Sequence, residues 1–129
     1  MSGGQAVSSR RSVAVVIGAS VEQVAYVKQC LADWQCISLP LNDEGTGVSS
    51  IPEGATLAIV YAQKEDKNTL AICGQFRSSP ECRGAPILLA IGRYEIGQGI
   101  SVKRMGNATF ILMSFSAQQL RDKIKELVE

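Results

Sequence analysis

The chain has no histidine, and that absence removes whole classes of chemistry. Without an imidazole there is neither a Ser-His-Asp nor a Cys-His nucleophile, and zinc loses one of its two usual ligands. Four cysteines, Cys30, Cys36, Cys73 and Cys82, do not make up the difference. They form neither a close pair of ligands nor a dense disulfide framework, so they read as reduced, mostly buried thiols, and no metal is expected. Charge of either sign is not in excess. Thirteen Lys and Arg against twelve Asp and Glu leave a formal charge of +1, which supplies no strong field for nucleic acid or anionic lipid. No run of about 20 apolar residues exists to cross a membrane, and residues 1–12 lack the apolar core of a secretion signal. Neither G-x-G-x-x-G nor a Walker sequence is present, so no nucleotide cofactor is implied. A soluble, cytoplasmic protein without catalytic activity or cofactor is the expectation.

What is present is a regular alternation of short apolar runs with helical stretches. Val13 to Ile17, Leu57 to Val60, Ile87 to Ile91 and Thr109 to Met113 are continuous apolar strands of the kind buried on both faces of a parallel sheet. Gln35 to Leu39 adds a shorter one that Pro40 stops. After Gly18 and Ala19, Ser20 with Gln23 forms a capping box, and Val24, Val27, Leu31 and Trp34 follow as one stripe. The same device recurs at Ser116 with Gln119, ahead of Leu120, Ile124 and Leu127. Between these ends, Asp66 to Arg77 reads as a helix with Leu70, Cys73 and Phe76 inward.

Two connections read as poor helices. Leu41 to Gly54 is rich in Gly, Ser, Asn and Asp and argues for a loop. Glu95 to Lys103 has helical character, but Gly97 and Gly99 each weaken it by about 1 kcal/mol relative to alanine, which predicts a short, distorted or mobile segment. Residues 1–12, with Arg10 and Arg11, read as a flexible, solvated leader, and 129 residues suit one domain, placed at 13–129. The fold class is α/β, a doubly wound, five-stranded parallel sheet in a three-layer, flavodoxin-like sandwich. In such sheets ligands bind outside the carboxyl ends of the strands. Those ends carry no acid, because neither the first nor the third strand contains Asp or Glu.

Pro86-Ile-Leu-Leu-Ala-Ile-Gly92, followed by Gly106-Asn-Ala-Thr-Phe-Ile-Leu-Met-Ser-Phe115 and a helix from Ser116, resembles the end of a response-regulator receiver domain. Val13 to Leu31 resembles the first strand and helix of that family. The resemblance implies strand order 2-1-3-4-5 over nearly the whole chain. It also implies where an aspartyl-phosphate site would lie: Gly18 and Ala19 stand in place of the acidic pair, Tyr61 or Ala62 in place of the phosphorylated aspartate, Ile91 in place of the hydroxyl residue, and Met113 with Ser114 in place of lysine and proline. Mg²⁺ needs hard oxygen ligands, and an aspartyl phosphate needs its carboxylate; the chain therefore reads as a degenerate receiver. Glu22, Glu65 and Asp66 are nearby, but are expected to serve helix dipoles from first turns.

The function that follows is regulation through surfaces, by a protein partner or by self-association as a dimer, with no direct binding of nucleic acid. By position, the family's common partner face includes Tyr94, Ile96, Ile100, Val102, Phe110, Leu112, Arg121 and Lys125, with Tyr94 and Ile100 as favoured exposed anchors. A fused effector outside this chain, such as the DNA-binding part of a transcription regulator, fits the same resemblance. The alternative reading is a small-ligand or nucleotide sensor using a crevice near Gly18, Ser20, Tyr61 and Gly92.

Overall fold

The computed structural model describes residues 12–80 and 84–128. The expected leader falls almost wholly outside the described residues, as does Cys82. Five parallel strands, β1 (Val13–Ile17), β2 (Gln35–Leu39), β3 (Leu57–Tyr61), β4 (Ile87–Ile91) and β5 (Ala108–Leu112), form one sheet in the order β2-β1-β3-β4-β5. This is the doubly wound order expected from the sequence. All five residues of β3 and of β4 are buried, as continuous apolar strands in mid-sheet must be. The edges are more open: β2 has only exposed and half-buried positions.

Helices α1 (Val21–Cys30) and α4 (Ala117–Val128) cover one face, and α2 (Asp66–Ser78) and α3 (Ile96–Lys103) the other. Alternate strand residues feed the two cores. Val15, Ile17, Val60 and Ile91 pack with Ile72, Cys73 and Phe76 of α2, while Val16, Ile59, Tyr61 and Ile111 pack with Val27 of α1 and with Leu120 and Ile124 of α4.

Both capping boxes form. The Ser20 N–H donates to Gln23 Oε1 at 2.8 Å and the Gln23 N–H to Ser20 Oγ at 3.1 Å; Ser116 and Gln119 repeat the pair at 2.8 and 3.1 Å. Three details differ from the sequence reading. Helix α1 ends at Cys30, so the expected stripe breaks before Trp34, which packs from the following turn. In α2 the inward stripe is Thr69, Ile72, Cys73 and Phe76, and Leu70 lies outside, one step around the helix from that face. Strand β5 is shifted one residue toward the amino end, leaving Met113 beyond it.

The connection from β2 to β3 has no helix, as its composition predicts. In place of a helix, Leu41 bridges Val48, and the side chain of Gln75 in α2 grips the backbone of Val48. Gln75 Oε1 accepts the Val48 N–H at 2.8 Å while Nε2 donates to the Val48 carbonyl at 2.6 Å. Val48 is thereby held in the core with Ile51 and Leu41 around it. The fourth connection is short, as expected: a 3₁₀ turn at Arg93–Glu95 leads into eight residues of helix. Gly99 is buried in α3, and a Cβ there would stand 2.6 Å from Cδ2 of Phe110 and 3.1 Å from Ile91 Cδ1. Absence of a side chain lets α3 lie directly on β5.

Candidate functional site

At the carboxyl ends of the strands, the residues singled out from the sequence are close together but several are already engaged. Gly18 follows β1 with φ +77°, a left-handed conformation that favours glycine. The amide of Gln63 lies against it, so even a Cβ would collide with Gln63 Nε2. Gln63 is held by its neighbours: its Nε2 donates to the Tyr61 carbonyl at 2.7 Å, its N–H to Thr69 Oγ1 at 2.9 Å, and its carbonyl accepts Gln98 Nε2 at 3.0 Å. Gln98 is itself buried, and its Oε1 has no partner among the described residues. Gly92, after β4, has its N–H capped by Glu95 Oε1 at 2.7 Å. Ser20 is committed to its capping box. Ala19 and Ala62 are half-buried and pack against the cores on opposite faces of the sheet, while Ile91 is fully buried.

The open space lies to one side of this cluster. A cleft of about 330 Å³ runs between α1 and the β5–α4 connection. Glu22, Gln23 and Tyr26 line it from α1, Tyr61 from the end of β3, and Met113, Ser114 and Phe115 from beyond β5. Of the four residues expected to form a crevice, only Tyr61 lines it. Tyr26 closes the cleft by donating its hydroxyl to the Phe115 carbonyl at 2.7 Å, with the two rings 5.9 Å apart and tilted by 52°. Gln23 Nε2 contacts Met113 Sδ at 3.9 Å. The Met113–Ser114 peptide is cis. Tyr61 is 4% exposed, and burial, with Cys30 and Tyr26 beside it, pushes its phenol up to about 12.

The three acids near the strand ends divide. Glu65 stands at the N-cap of α2, with its carboxylate 3.5 Å from Lys67 Nζ, and Asp66 occupies the first turn. Glu22, also in a first turn, additionally faces the cleft. Among the described residues no three His, Cys, Asp or Glu side chains cluster as metal ligands.

The surface expected to meet a partner also divides. Tyr94 (89% exposed), Ile96, Ile100 and Leu112 present apolar surface on the 3₁₀ turn, α3 and β5. Val102 does not belong with them, because it faces the core with no exposure. Phe110 is half-buried against Gly99. Arg121 and Lys125 lie on the α1 side of α4, in a groove with Leu31 and Trp34, and Arg121 donates to the Cys30 carbonyl at 3.3 Å. The α4 residues that border β5 are instead Gln119, Asp122, Lys123 and Glu126. The sequence did not separate these two sides because both are polar; the 100° step of the helix sets them apart.

Neither a protein-family model nor a curated protein sequence matches the chain. Solved structures do. The signal receiver domain of a two-component histidine kinase from Clostridium thermocellum superposes with a TM-score of 0.71 at 16% identity, over 92% of this chain and 98% of that one. A response-regulator receiver domain protein from the same organism gives 0.60 at 14% identity, over 91% and 94%. NtrX from Brucella abortus, solved in complex with ADP, gives 0.66 at 17% identity, over 92% of this chain but 27% of that longer one. The fold is therefore that of response-regulator receiver domains, a CheY-like, flavodoxin-like α/β sandwich.

Proposed function

We propose that this chain is a regulatory signalling domain that acts through protein contacts, without phosphorylation of an aspartate and without catalysis. The observation that carries the reading is the chemistry at the strand ends of a receiver fold. Gly18, Ala19, Tyr61, Ala62, Ile91, Met113 and Ser114 occupy them, and none offers the carboxylate that an aspartyl phosphate and its Mg²⁺ require. The space beside Gly18 is taken by Gln63, and Glu95 caps Gly92. Signal transmission then falls to surface. Tyr94, Ile96, Ile100 and Leu112 give an exposed apolar strip of the composition that anchors protein interfaces, and self-association is one use of it. A fused effector, including one that regulates transcription, is compatible with a domain of this kind.

Incubation with acetyl phosphate and Mg²⁺ followed by intact-mass measurement tests the first half. No stoichiometric phospho-adduct is expected, and one would overturn the reading. Sedimentation of the wild type and of the Tyr94→Ala/Ile100→Ala variant tests the second half. Concentration-dependent association in the wild type and its loss in a still-folded variant are expected; association unchanged by the substitutions would reject the surface.

A further inference from the structure

The cleft between α1 and the β5–α4 connection has a chemical character of its own, independent of any protein-contact surface. Its walls are mainly apolar, with three aromatic rings, Tyr26, Tyr61 and Phe115, and the thioether of Met113. The polar groups are few. A volume of about 330 Å³ falls at the small end of the range for ligand sites, which are commonly apolar with a few placed polar groups.

The charge pattern selects the ligand. None of the residues lining the cleft is Lys or Arg, and the one charged side chain is Glu22. Its carboxylate has no ion-pair partner among the described residues. Aromatic faces carry negative potential and attract cations, and a carboxylate beside them acts in the same direction. An anion such as a phosphate would meet the Glu22 carboxylate with no cationic side chain in the lining to offset it. Tyr61 supplies a second pointer. Its side chain lines the cleft, and its hydroxyl forms no hydrogen bond with any described residue and is not sealed in the core, so it is open to a polar group entering the cleft. With its phenol raised to about 12 it remains a neutral hydroxyl able to donate or accept.

We propose that this cleft binds a small organic cation of the alkylammonium class, the positive group lying between the aromatic rings and the Glu22 carboxylate and a polar end reaching the Tyr61 hydroxyl. Choline is a suitable probe, because 3,3-dimethylbutan-1-ol has nearly its shape without its charge. Two-dimensional NMR titration of the isotopically labelled protein reads both site and affinity. Choline should move the amide signals of Tyr26, Tyr61 and Phe115 along one saturable curve, and the neutral alcohol should bind about tenfold more weakly. Glu22→Gln, an exposed change that leaves the fold intact, should weaken choline several-fold without weakening the alcohol. Tyr61→Phe should weaken both, since both carry the hydroxyl. Equal affinity for the two probes, choline unaffected by Glu22→Gln, shifts mapping outside the cleft, or no saturable shift at millimolar concentrations would each overturn the proposal. Tyr94 and Ile100 lie outside the cleft, so the variant that tests association should bind choline as the wild type does.

Discussion

Cys73 and Tyr61 each place an ionisable group against apolar neighbours, and both respond to pH in the same direction. Burial pushes the Cys73 thiol up to about 12, with Arg77 pulling partly against it, and pushes the Tyr61 phenol to about 12 as well. Both groups are neutral in the folded protein at neutral pH. As pH rises above about 9 the unfolded chain ionises first and binds fewer protons than the folded one, so stability falls until the folded groups also ionise near 12. Urea unfolding should give a midpoint that is unaffected by these groups below pH 8 and declines between pH 9 and 11; Cys73→Ala together with Tyr61→Phe should flatten that decline. Local signals at this scale are the ones the sequence displays. Ser20 with Gln23 and Ser116 with Gln119 are three apart and were legible as caps, and Ser116→Ala should cost about 1 kcal/mol in chemical denaturation. Gln63, Gln75 and Gln98 were not legible. Their side-chain amides bond to backbone groups 27 to 35 residues away or fold back on their own turn, and an isolated glutamine carries no mark of either.

At the scale of elements, the two glycines of α3 look alike in sequence and act differently in space. Both lower helix propensity, and from that alone a distorted helix follows. Gly99, however, is where the backbone of α3 meets the Phe110 ring, while nothing lies within 4 Å of a Cβ at Gly97. Gly99→Ala should therefore destabilise the domain by about 1–3 kcal/mol through overpacking, and Gly97→Ala should stabilise it by up to about 1 kcal/mol through helix propensity. Denaturation of the two variants checks the contrast, and equal effects would mean that α3 does not rest on β5 as described. Strands were easier to read than helix faces. Continuous apolar runs leave little choice for β3 and β4, whereas the inward stripe of α2 turns on whether Thr69 or Leu70 faces the sheet, and the burial of Thr69 is decided by its hydroxyl reaching the Gln63 N–H.

For the whole molecule, alternation of strand and helix was enough to imply a doubly wound α/β sheet, and the resemblance to receiver domains supplied the strand order that is observed. The position of the cleft was not implied. General reasoning places it over the strand ends at Gly18 and Gly92, but the Gln63 and Glu95 side chains fill those places, and the remaining space opens toward α1. Filling both cores with apolar side chains makes the domain one cooperative unit, so Phe76→Ala, which empties the α2 face, should cost about 3–5 kcal/mol and lower the midpoints of far-ultraviolet circular dichroism and of Trp34 fluorescence together.

The grip of Gln75 on Val48 ties the fate of a loop to that of a helix. A segment without regular structure would ordinarily open by itself many times before the domain unfolds. Here the Val48 amide is released only when the Gln75 side chain lets go, and Gln75 belongs to α2. Hydrogen–deuterium exchange at Val48 should consequently run at the pace of α2, far slower than at neighbouring loop amides, and Gln75→Ala should return it to the pace of the loop. One side-chain amide thus extends the domain's slow-exchanging nucleus into the connection that lacks a helix of its own.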